Sequence, residues 1–232
     1  MCWGSNIWCI TSQPCVFVGC EKESKEAVYI PFIFLLKLCV VHQNHHNKKM
    51  RLSIICALDR VGSFGVSNTK DLPWSFREEL KWFREVTMGH SDTSGHPVVM
   101  GRNTWESLPP AHRPLKGRPN FVVTSKTADE LPLPPQVGRL ASLTDLDATY
   151  PGETLVFVIG GIALIKEALT SPALSSVYLT LIDGDFSDTA DVALPGLLTL
   201  LTSTTKTIVH QDVLTNRHDG KAYPVTMYRI CV

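Results

Sequence analysis

The Glu79 carboxylate lies on the apolar face of a predicted helix, where an acid is unusual. At 100° per residue it shares one helical face with Phe76, Leu80 and Phe83, whereas Glu78 points elsewhere. A buried acid is costly unless it is paired, neutralised or bound by a ligand that donates hydrogen bonds. On an isolated helix, a boundary residue or an internal salt bridge is the more common explanation. This pattern alone leaves both explanations open.

An apolar slot is expected beside this acid. Trp74 closes the segment 71–74 before the helix, and with Leu80 and Phe83 it would flank the carboxylate. A carboxylate accepts two hydrogen bonds at once from a guanidinium-like edge. The combination therefore predicts a site for a flat heterocycle that carries adjacent N–H donors.

Two strand-to-helix junctions carry glycine where a phosphate group could approach the backbone. In one, Gly101 is followed by Arg102 and a helix start; in the other, Gly160 and Gly161 precede a helix. Each junction alone is more often an ordinary tight turn. Neither has the G-x-G-x-x-G fingerprint of a Rossmann dinucleotide site. Together they predict the two sides of one pyrophosphate site.

The elements that must position these residues alternate along 50–232. Short, nearly continuous apolar runs predict strands at 52–58, 97–100, 121–123, 155–159 and 177–182, as in a sheet covered on both faces. Periodic segments predict helices at 76–87, 104–108, 143–147 and 162–169, and 206–210 with 224–232 predicts a closing antiparallel pair. The fold class is therefore α/β: one domain with a central mixed, mainly parallel sheet flanked by helices.

Composition limits the remaining possibilities. The chain has 232 residues, is 44% hydrophobic and carries no formal net charge, so nucleic acid is not expected as its main partner. Five of its seven cysteines lie in the first 39 residues, with only Cys56 and Cys231 beyond them. No Cys/His zinc spacing occurs, so no metal is expected, and two distant cysteines favour a reducing compartment.

Residues 1–49 differ from the domain at 50–232. The apolar run 27–41 contains Pro31 and Lys37 and is shorter than the roughly 20 residues that span a bilayer. Several acids and no arginine occur before Met50, unlike a mitochondrial presequence. We interpret 1–49 as a dispensable extension or a start assigned too early. A cytoplasmic protein without membrane contact is expected, with mitochondrial targeting or weak membrane association through 1–49 as alternatives.

From Met50 to Val232 the chain resembles the dihydrofolate reductase family. Several motifs, in family order and with family-like spacing, carry this resemblance. They are Ile54-Ile-Cys-Ala-Leu-Asp59, Gly65, Asp71-Leu-Pro-Trp74, Glu79 with Leu80 and Phe83, Met100-Gly-Arg-Asn-Thr-Trp-Glu-Ser-Leu108, Arg113-Pro-Leu-Lys-Gly-Arg-Pro-Asn120, Val158-Ile-Gly-Gly161, Tyr178-Leu-Thr180 and Asp188-Thr189. The segment 1–49 has no counterpart in the family core.

The resemblance implies a folate site. Glu79 would hold the N3 and 2-amino edge of the pterin, with Thr180 bridging to the carboxylate and Trp74 fixing a water. Arg118 would bind the α-carboxylate of the glutamate tail. Of the other implied substrate contacts, Leu80 and Phe83 would sandwich the ring, Leu108 and Leu115 would line the aminobenzoyl groove, and Ile55 and Ile159 would offer backbone carbonyls. Dihydrofolate and antifolates are therefore the expected ligands. The protein is expected to be a monomer.

The resemblance also implies NADPH as cofactor. Ala57 would bind the nicotinamide carboxamide, and a mobile loop from Gly65 to Lys70 would cover the site. Gly101, Arg102, Asn103, Thr104, Gly160, Gly161, Ile162, Ala163 and Leu164 would surround the pyrophosphate, across a cis bond between Gly160 and Gly161. Arg102 with Thr124, Ser125 and Lys126 would meet the 2′-phosphate, although a solvated surface pair remains the alternative for the two cations.

The implied reaction transfers a hydride to C6 of 7,8-dihydrofolate and a proton to N5. Glu79 contacts the pyrimidine side of the ring, so water is the expected proton donor. Ile165 stands where the family usually has tyrosine, and the segment 61–63 lengthens the loop region. Two other functions stay open: a pterin or pyrimidine reductase whose substrate lacks the glutamate tail, and a folate-binding or RNA-binding relic without turnover.

Overall fold

A computed structural model describes residues 50–89, 94–150 and 154–232; the extension interpreted from 1–49 lies outside the described residues. The strands are β1 (Arg51–Asp59), β2 (Ser63–Gly65), β3 (Val98–Gly101), β4 (Asn120–Val123), β5 (Val137–Leu140), β6 (Leu155–Val158), β7 (Leu174–Ile182), β8 (Val192–Ala193), β9 (Lys206–Thr215) and β10 (Ala222–Cys231). The α-helices are α1 (Arg77–Met88), α2 (Arg102–Ser107), α3 (Leu146–Thr149), α4 (Ile162–Leu169) and α5 (Pro195–Ser203).

Eight of these strands form one sheet in the order β5-β4-β3-β6-β1-β7-β10-β9. The strands from β5 to β7 in this order pair in parallel, and β10 pairs antiparallel with both β7 and β9. The mixed, mainly parallel sheet predicted from the sequence is therefore confirmed. The short strands β2 and β8 form a separate pair.

Each face of the sheet carries its own hydrophobic cluster. On β1, Ile54 and Leu58 belong to a cluster that also contains Ile165 of α4, and Ile55 belongs to another with Trp82 of α1. Side chains alternate between the two faces of a strand, so β1 must be apolar at nearly every position. This explains why its sequence reads as a continuous run instead of an alternating one.

The structure adds elements that the sequence did not predict. They are β2, β5, β8 and α5, and β9 continues to Thr215, beyond the predicted end at His210. The predicted helix 143–147 is a 3₁₀ turn at Leu143–Asp145 followed by α3. Within the described ranges, every helix is too short or too polar to cross a membrane.

The sheet opens between β1 and β6 at their carboxyl ends. Pairing of these strands ends at Ile54 and Val158, whereas β1 continues to Asp59 along β7 alone. In open α/β sheets, ligands bind in such crevices beyond the carboxyl ends of the strands. The predicted glycine junctions after β3 and β6 lie at this same edge.

Candidate active site

Helix α1 holds Glu79 against the crevice wall. The helix begins after Phe76, whose side chain is 1% exposed and anchors its first turn. Glu79 is 8% exposed, and the Thr180 hydroxyl on β7 donates a hydrogen bond to its Oε1 at 3.2 Å. Burial raises the pKa of Glu79 to about 7, and the bond from Thr180 opposes this only in part. The structure thus brings together the two polar groups predicted for the pterin edge.

Trp74 is buried in the same cluster as Ile55 and Ala57. Its ring packs edge-on against Phe186, with the centroids 5.2 Å apart. Its indole Nε1 is buried but has no hydrogen-bond acceptor among the described residues. A buried N–H without an acceptor is costly, so this position suits an ordered water or a ligand.

The segment that carries Trp74 is fixed from the other end of the chain. The buried side chain of Asn216, in the turn between β9 and β10, accepts a hydrogen bond from the Ser75 N–H at 2.9 Å. His218 Nδ1 lies 3.2 Å from the Pro73 carbonyl. Neither anchor is recognisable in the sequence, because a contact across about 140 residues leaves no local pattern.

The apolar stripe of α1 is only partly buried. Phe83 packs at the edge of the cluster around Trp74, and Trp82 is 8% exposed, as expected for a core residue. Leu80, by contrast, is 54% exposed. The predicted slot is therefore open on the Leu80 side, where an apolar ligand could cover that side chain.

The remaining predicted substrate contacts converge on one surface. Three of them, Leu108, Leu115 and Ile159, pack partly buried against the cluster that contains Ile55 and Ala57 of β1. With Ile55 and Ala57 of β1, these residues come from four separate segments of the chain. Their convergence gives the crevice an apolar wall that continues from Trp74 towards the loop 113–119.

Arg118 stands at the far end of this wall without an anionic partner. Its Nη1 donates to Thr87 Oγ1 at 2.5 Å, and its guanidinium carbon lies 5.6 Å from the centre of the Phe83 ring. Its Nε is buried without an acceptor, and no acid of the described chain pairs with it. Burial, and to a lesser degree Arg84, lowers the pKa of Arg118 to about 10. A bound anion would give Nε an acceptor and the guanidinium a partner of opposite charge.

Asn120 shapes the loop that presents Arg118. This residue is 2% exposed; its side chain accepts from the Leu115 N–H at 2.9 Å and donates to the Leu115 and Arg118 carbonyls at 2.9 and 2.6 Å. The loop includes a cis bond between Arg113 and Pro114 and lines a cavity of about 370 Å³. Asn120 belongs to one of the motifs shared with the family, but the sequence alone indicated no role for it.

The two glycine junctions meet as predicted. Gly101 donates its N–H to the Gly160 carbonyl at 2.8 Å, and the Gly160–Gly161 bond is cis, as the family resemblance implied. A Cβ atom on Gly160 would lie 3.0 Å from the Thr104 hydroxyl, and one on Gly101 would lie 3.3 Å from the Gly161 nitrogen. The backbones of β3 and β6 therefore approach so closely that only glycine fits comfortably. This leaves a bare backbone surface beside α4.

Helix α4 offers its backbone, not its apolar side chains, to this surface. Leu164 is 5% exposed and Ile165 has no exposed surface; both belong to the core cluster on the far face of the sheet. The Ile165 N–H donates to the Gly161 carbonyl at 3.0 Å. A ligand in the crevice would therefore meet the start of α4 through Ile162 and Ala163 and through main-chain groups.

The positive charges predicted for a 2′-phosphate already have carboxylate partners. Arg102 Nη1 lies 3.7 Å from Glu106 Oε1, and Lys126 Nζ lies 2.6 Å from Glu130 Oε1. The hydrogen bond from Lys126 is the main cause that holds the pKa of Glu130 below its ordinary value, and the charge of Arg102 contributes less. The two cations thus lie near one exposed acid. Thr124 caps the same turn, its Oγ1 accepting from the Lys126 N–H at 3.1 Å.

The loop 65–71 is held from both sides. The Ser67 N–H donates to Asp191 Oδ1 at 2.7 Å, and the Ser67 hydroxyl donates to Asp191 Oδ2. On the other side, Lys70 Nζ donates to Glu106 Oε2. The family resemblance implied the loop from Gly65 to Lys70, but it assigned no role to Asp191 or Glu106.

Asp59 organises the entry to this loop. It is wholly buried, and its Oδ1 accepts from the N–H groups of Val61 and Ser63 at 3.0 and 2.7 Å, whereas its Oδ2 accepts from the Phe186 N–H at 2.8 Å. Three backbone donors satisfy this carboxylate, so its role is structural. Within the described residues, no group of three or more His, Cys, Asp or Glu could hold a metal ion.

Over most of the described residues, the sequence is similar to that of known proteins. The family model described as dihydrofolate reductase matches residues 51–226. The dihydrofolate reductase of Pneumocystis carinii is 37% identical over 152 residues, which cover 60% of this chain and 72% of that protein. A bifunctional dihydrofolate reductase-thymidylate synthase of Arabidopsis thaliana is 39% identical over 126 residues, 51% of this chain but only 24% of the relative. The chain thus spans about a quarter of the length of such bifunctional relatives.

A solved structure gives the same assignment. The dihydrofolate reductase of Schistosoma mansoni superimposes with a TM-score of 0.63 at 29% identity, covering 78% of this chain and 99% of that structure. The match thus extends over the crevice as well as the sheet.

Proposed function

The chain belongs to the dihydrofolate reductase family, and on that premise we propose that it catalyses the NADPH-dependent reduction of 7,8-dihydrofolate to 5,6,7,8-tetrahydrofolate. The product would serve as the carrier in the one-carbon metabolism that feeds thymidylate, purine and amino-acid synthesis. One observation carries the proposal: the buried carboxylate of Glu79 accepts a hydrogen bond from Thr180, and the buried Trp74 indole, in the segment just before the same helix, has no acceptor among the described residues. This arrangement provides acceptors and a donor for a pterin edge but no nucleophile.

Glu79 would act as an anchor for the pterin. In the free protein its raised pKa leaves the carboxyl partly protonated near neutrality. A pterin edge that donates two N–H bonds stabilises the ionised form, so binding and ionisation support each other. An ionised Glu79 in turn favours a protonated pterin, which accepts a hydride more readily.

The N5 proton would come from water. Glu79 is committed to the pyrimidine edge and does not reach N5 on the other ring. The unsatisfied Trp74 Nε1 offers a donor that orients a water molecule, and the loop 65–71 limits access of bulk solvent. The protein would therefore position the reactants and admit a single proton source.

The glycine cradle fits a dinucleotide. Gly101, Gly160 and Gly161 offer a bare backbone beside Thr104, with Arg102 next to them. The nicotinamide ring of a dinucleotide held by this cradle would supply the hydride. Arg102, Thr124, Ser125 and Lys126 would hold the 2′-phosphate, which makes NADPH the proposed donor in preference to NADH. Among the described residues Cys56 and Cys231 are free thiols, which favours a reducing compartment such as the cytoplasm. The proposed oligomeric state, a monomer, rests on the family resemblance alone.

The decisive experiment follows NADPH absorbance after addition of 7,8-dihydrofolate to the purified full chain. Oxidation that methotrexate abolishes is the expected result. Glu79→Gln should bind NADPH normally but lose most turnover at neutral pH, because an amide cannot supply the anionic anchor. A folded protein that binds both ligands without oxidising NADPH would refute the proposed activity and leave a binding function.

A further inference from the structure

We infer that Lys70 and Glu106 form an ionic latch that holds the loop 65–71 over the crevice, and that a nucleotide phosphate bound at Arg102 tightens this latch. Lys70 is thereby a positioning residue that acts through Glu106. The inference rests on the proposed function, since NADPH is its probe.

One carboxylate serves two cations from different elements. Lys70 of the loop donates to Glu106 Oε2, while Arg102, at the start of the same helix α2 as Glu106, lies 3.7 Å from Oε1. The side chains of Lys70 and Glu106 are 37% and 27% exposed, so the contact is neither buried nor fully solvated. The loop is thus joined directly to the helix that begins at the glycine cradle.

The backbone of Lys70 adopts a conformation that contacts of the loop must stabilise. Its φ is +59°, and among the described residues it is the one non-glycine residue with a positive φ. L-residues avoid this left-handed conformation unless their surroundings impose it. The bridge between Val66 and Asp71 and the bonds from Ser67 to Asp191 hold the loop elsewhere, which leaves Glu106 as the contact of the Lys70 side chain.

Electrostatics determines whether nucleotide binding strengthens or weakens the contact between Lys70 and Glu106. Lys70 and Arg102 repel each other across the carboxylate that they share. A phosphate beside Arg102 offsets its charge and draws it away, so Glu106 becomes available to Lys70 alone. Nucleotide binding therefore favours loop closure, and by reciprocity closure favours nucleotide binding. The added charge of a 2′-phosphate makes the coupling larger for NADPH than for NADH.

The test measures NADPH binding to the full chain by fluorescence, with its dissociation rate from a stopped-flow chase. The variants are Lys70→Met, Glu106→Gln and both together. Lys81→Met is the matched control, because Lys81 forms an exposed pair with Glu85 at 3.7 Å on α1. Lys70→Met should raise the dissociation constant and dissociation rate roughly two- to fivefold, the range of an exposed ion pair. The association rate and the Lys81→Met variant should remain unchanged.

The double variant decides the mechanism. In the Glu106→Gln background, Lys70→Met should change the dissociation constant for NADPH very little further. With Glu106 unaltered, Lys70→Met should weaken binding of NADH less than binding of NADPH. An equal effect in both backgrounds, a change confined to the association rate, or no change would overturn the latch. A chain that shows the expected Lys70 dependence but does not reduce dihydrofolate would refute the proposed function while the latch stands. Failure of the unaltered chain to bind NADPH would overturn both.

Discussion

At the scale of single residues, the crevice is defined by polar groups that the fold buries but does not satisfy. Glu79 has one weak donor, and Trp74 Nε1 and Arg118 Nε have no acceptor among the described residues. Native proteins satisfy most buried polar groups, so several exceptions along one crevice point to a ligand that supplies the partners. The free energy lost at these groups in the empty protein is recovered when the ligand binds.

The pKa of Glu79 predicts a pH-dependent stability. Because its folded-state pKa is raised from 4.5 to about 7, the unfolded chain ionises first as the pH rises, and stability falls between these values. Glu79→Gln should abolish that fall. At pH 8 the free energy of unfolding of the Glu79→Gln variant should exceed that of the unaltered chain by up to about 3 kcal/mol, whereas at pH 5 the two should differ little. Urea unfolding of the ligand-free chains measures this.

The exposed neighbour Glu78 provides the control for this comparison. Glu78→Gln should leave the pH profile of the unaltered chain in place. Parallel profiles for Glu79→Gln and the unaltered chain would show that burial does not perturb the carboxyl.

Arg118 predicts a separation of binding from catalysis. Arg118→Met keeps an apolar stem against Phe83 and Thr87 but removes the charge. The KM for dihydrofolate should rise roughly 10- to 100-fold, as expected for a lost charge-assisted bond of about 1.5–3 kcal/mol, with kcat nearly unchanged. A reduced pterin without a glutamate tail should show no difference between the two proteins. If Arg118→Met leaves the KM for dihydrofolate unchanged, the enzyme acts on a substrate without that tail.

At the scale of elements, the site depends on how closely two strand ends approach. Gly101 and Gly160 bring the ends of β3 and β6 within hydrogen-bonding distance, and α2 and α4 both begin there. The sequence predicted this because glycine marks close approach and the flanking runs are unmistakably apolar. The same approach explains why the two junctions act as one surface.

Gly160→Ala should therefore damage the cofactor site. The φ of +131° is rarely adopted by L side chains, and the new Cβ would lie 3.0 Å from Thr104 Oγ1. We expect a loss of about 1–3 kcal/mol in stability and a weaker affinity for NADPH, measured by thermal unfolding and fluorescence titration. Gly196→Ala is the control: nothing lies within 4 Å of its Cβ position in α5, so stability should be unchanged or slightly higher. Equal effects of the two changes would contradict this account.

Elements without continuous apolar runs were not predictable from the sequence. Strand β5 contains Gly138 and Arg139, which interrupt its pattern, and α5 contains proline, glycine and two threonines, which are weak helix formers. The edge strand β9 exposes most of its residues, so no burial pattern marks its end. In each case tertiary pairing, not local preference, determines the structure.

At the scale of the whole molecule, candidate site residues were easier to recognise in the sequence than the hydrogen bonds that hold them in place. Glu79, Trp74, Arg118 and the glycines were recognisable by type and motif. Their supports, Asp59, Asn120, Asp191 and Asn216, are polar residues in loops or at strand ends whose bonds mostly connect distant segments. Such bonds leave no periodic signal, and only the folded chain reveals them.

The folding unit should be complete from Met50. Met50 is 4% exposed and already part of the core, the family match begins at residue 51, and the clusters on both faces of the sheet are built from residues of this region. A chain that begins at Met50 should therefore unfold cooperatively, remain monomeric in light scattering, and match the full chain in KM within about twofold, because it contains both described hydrophobic clusters. Aggregation, or a lower melting temperature than the full chain, would show instead that residues 1–49 contribute to the folded domain.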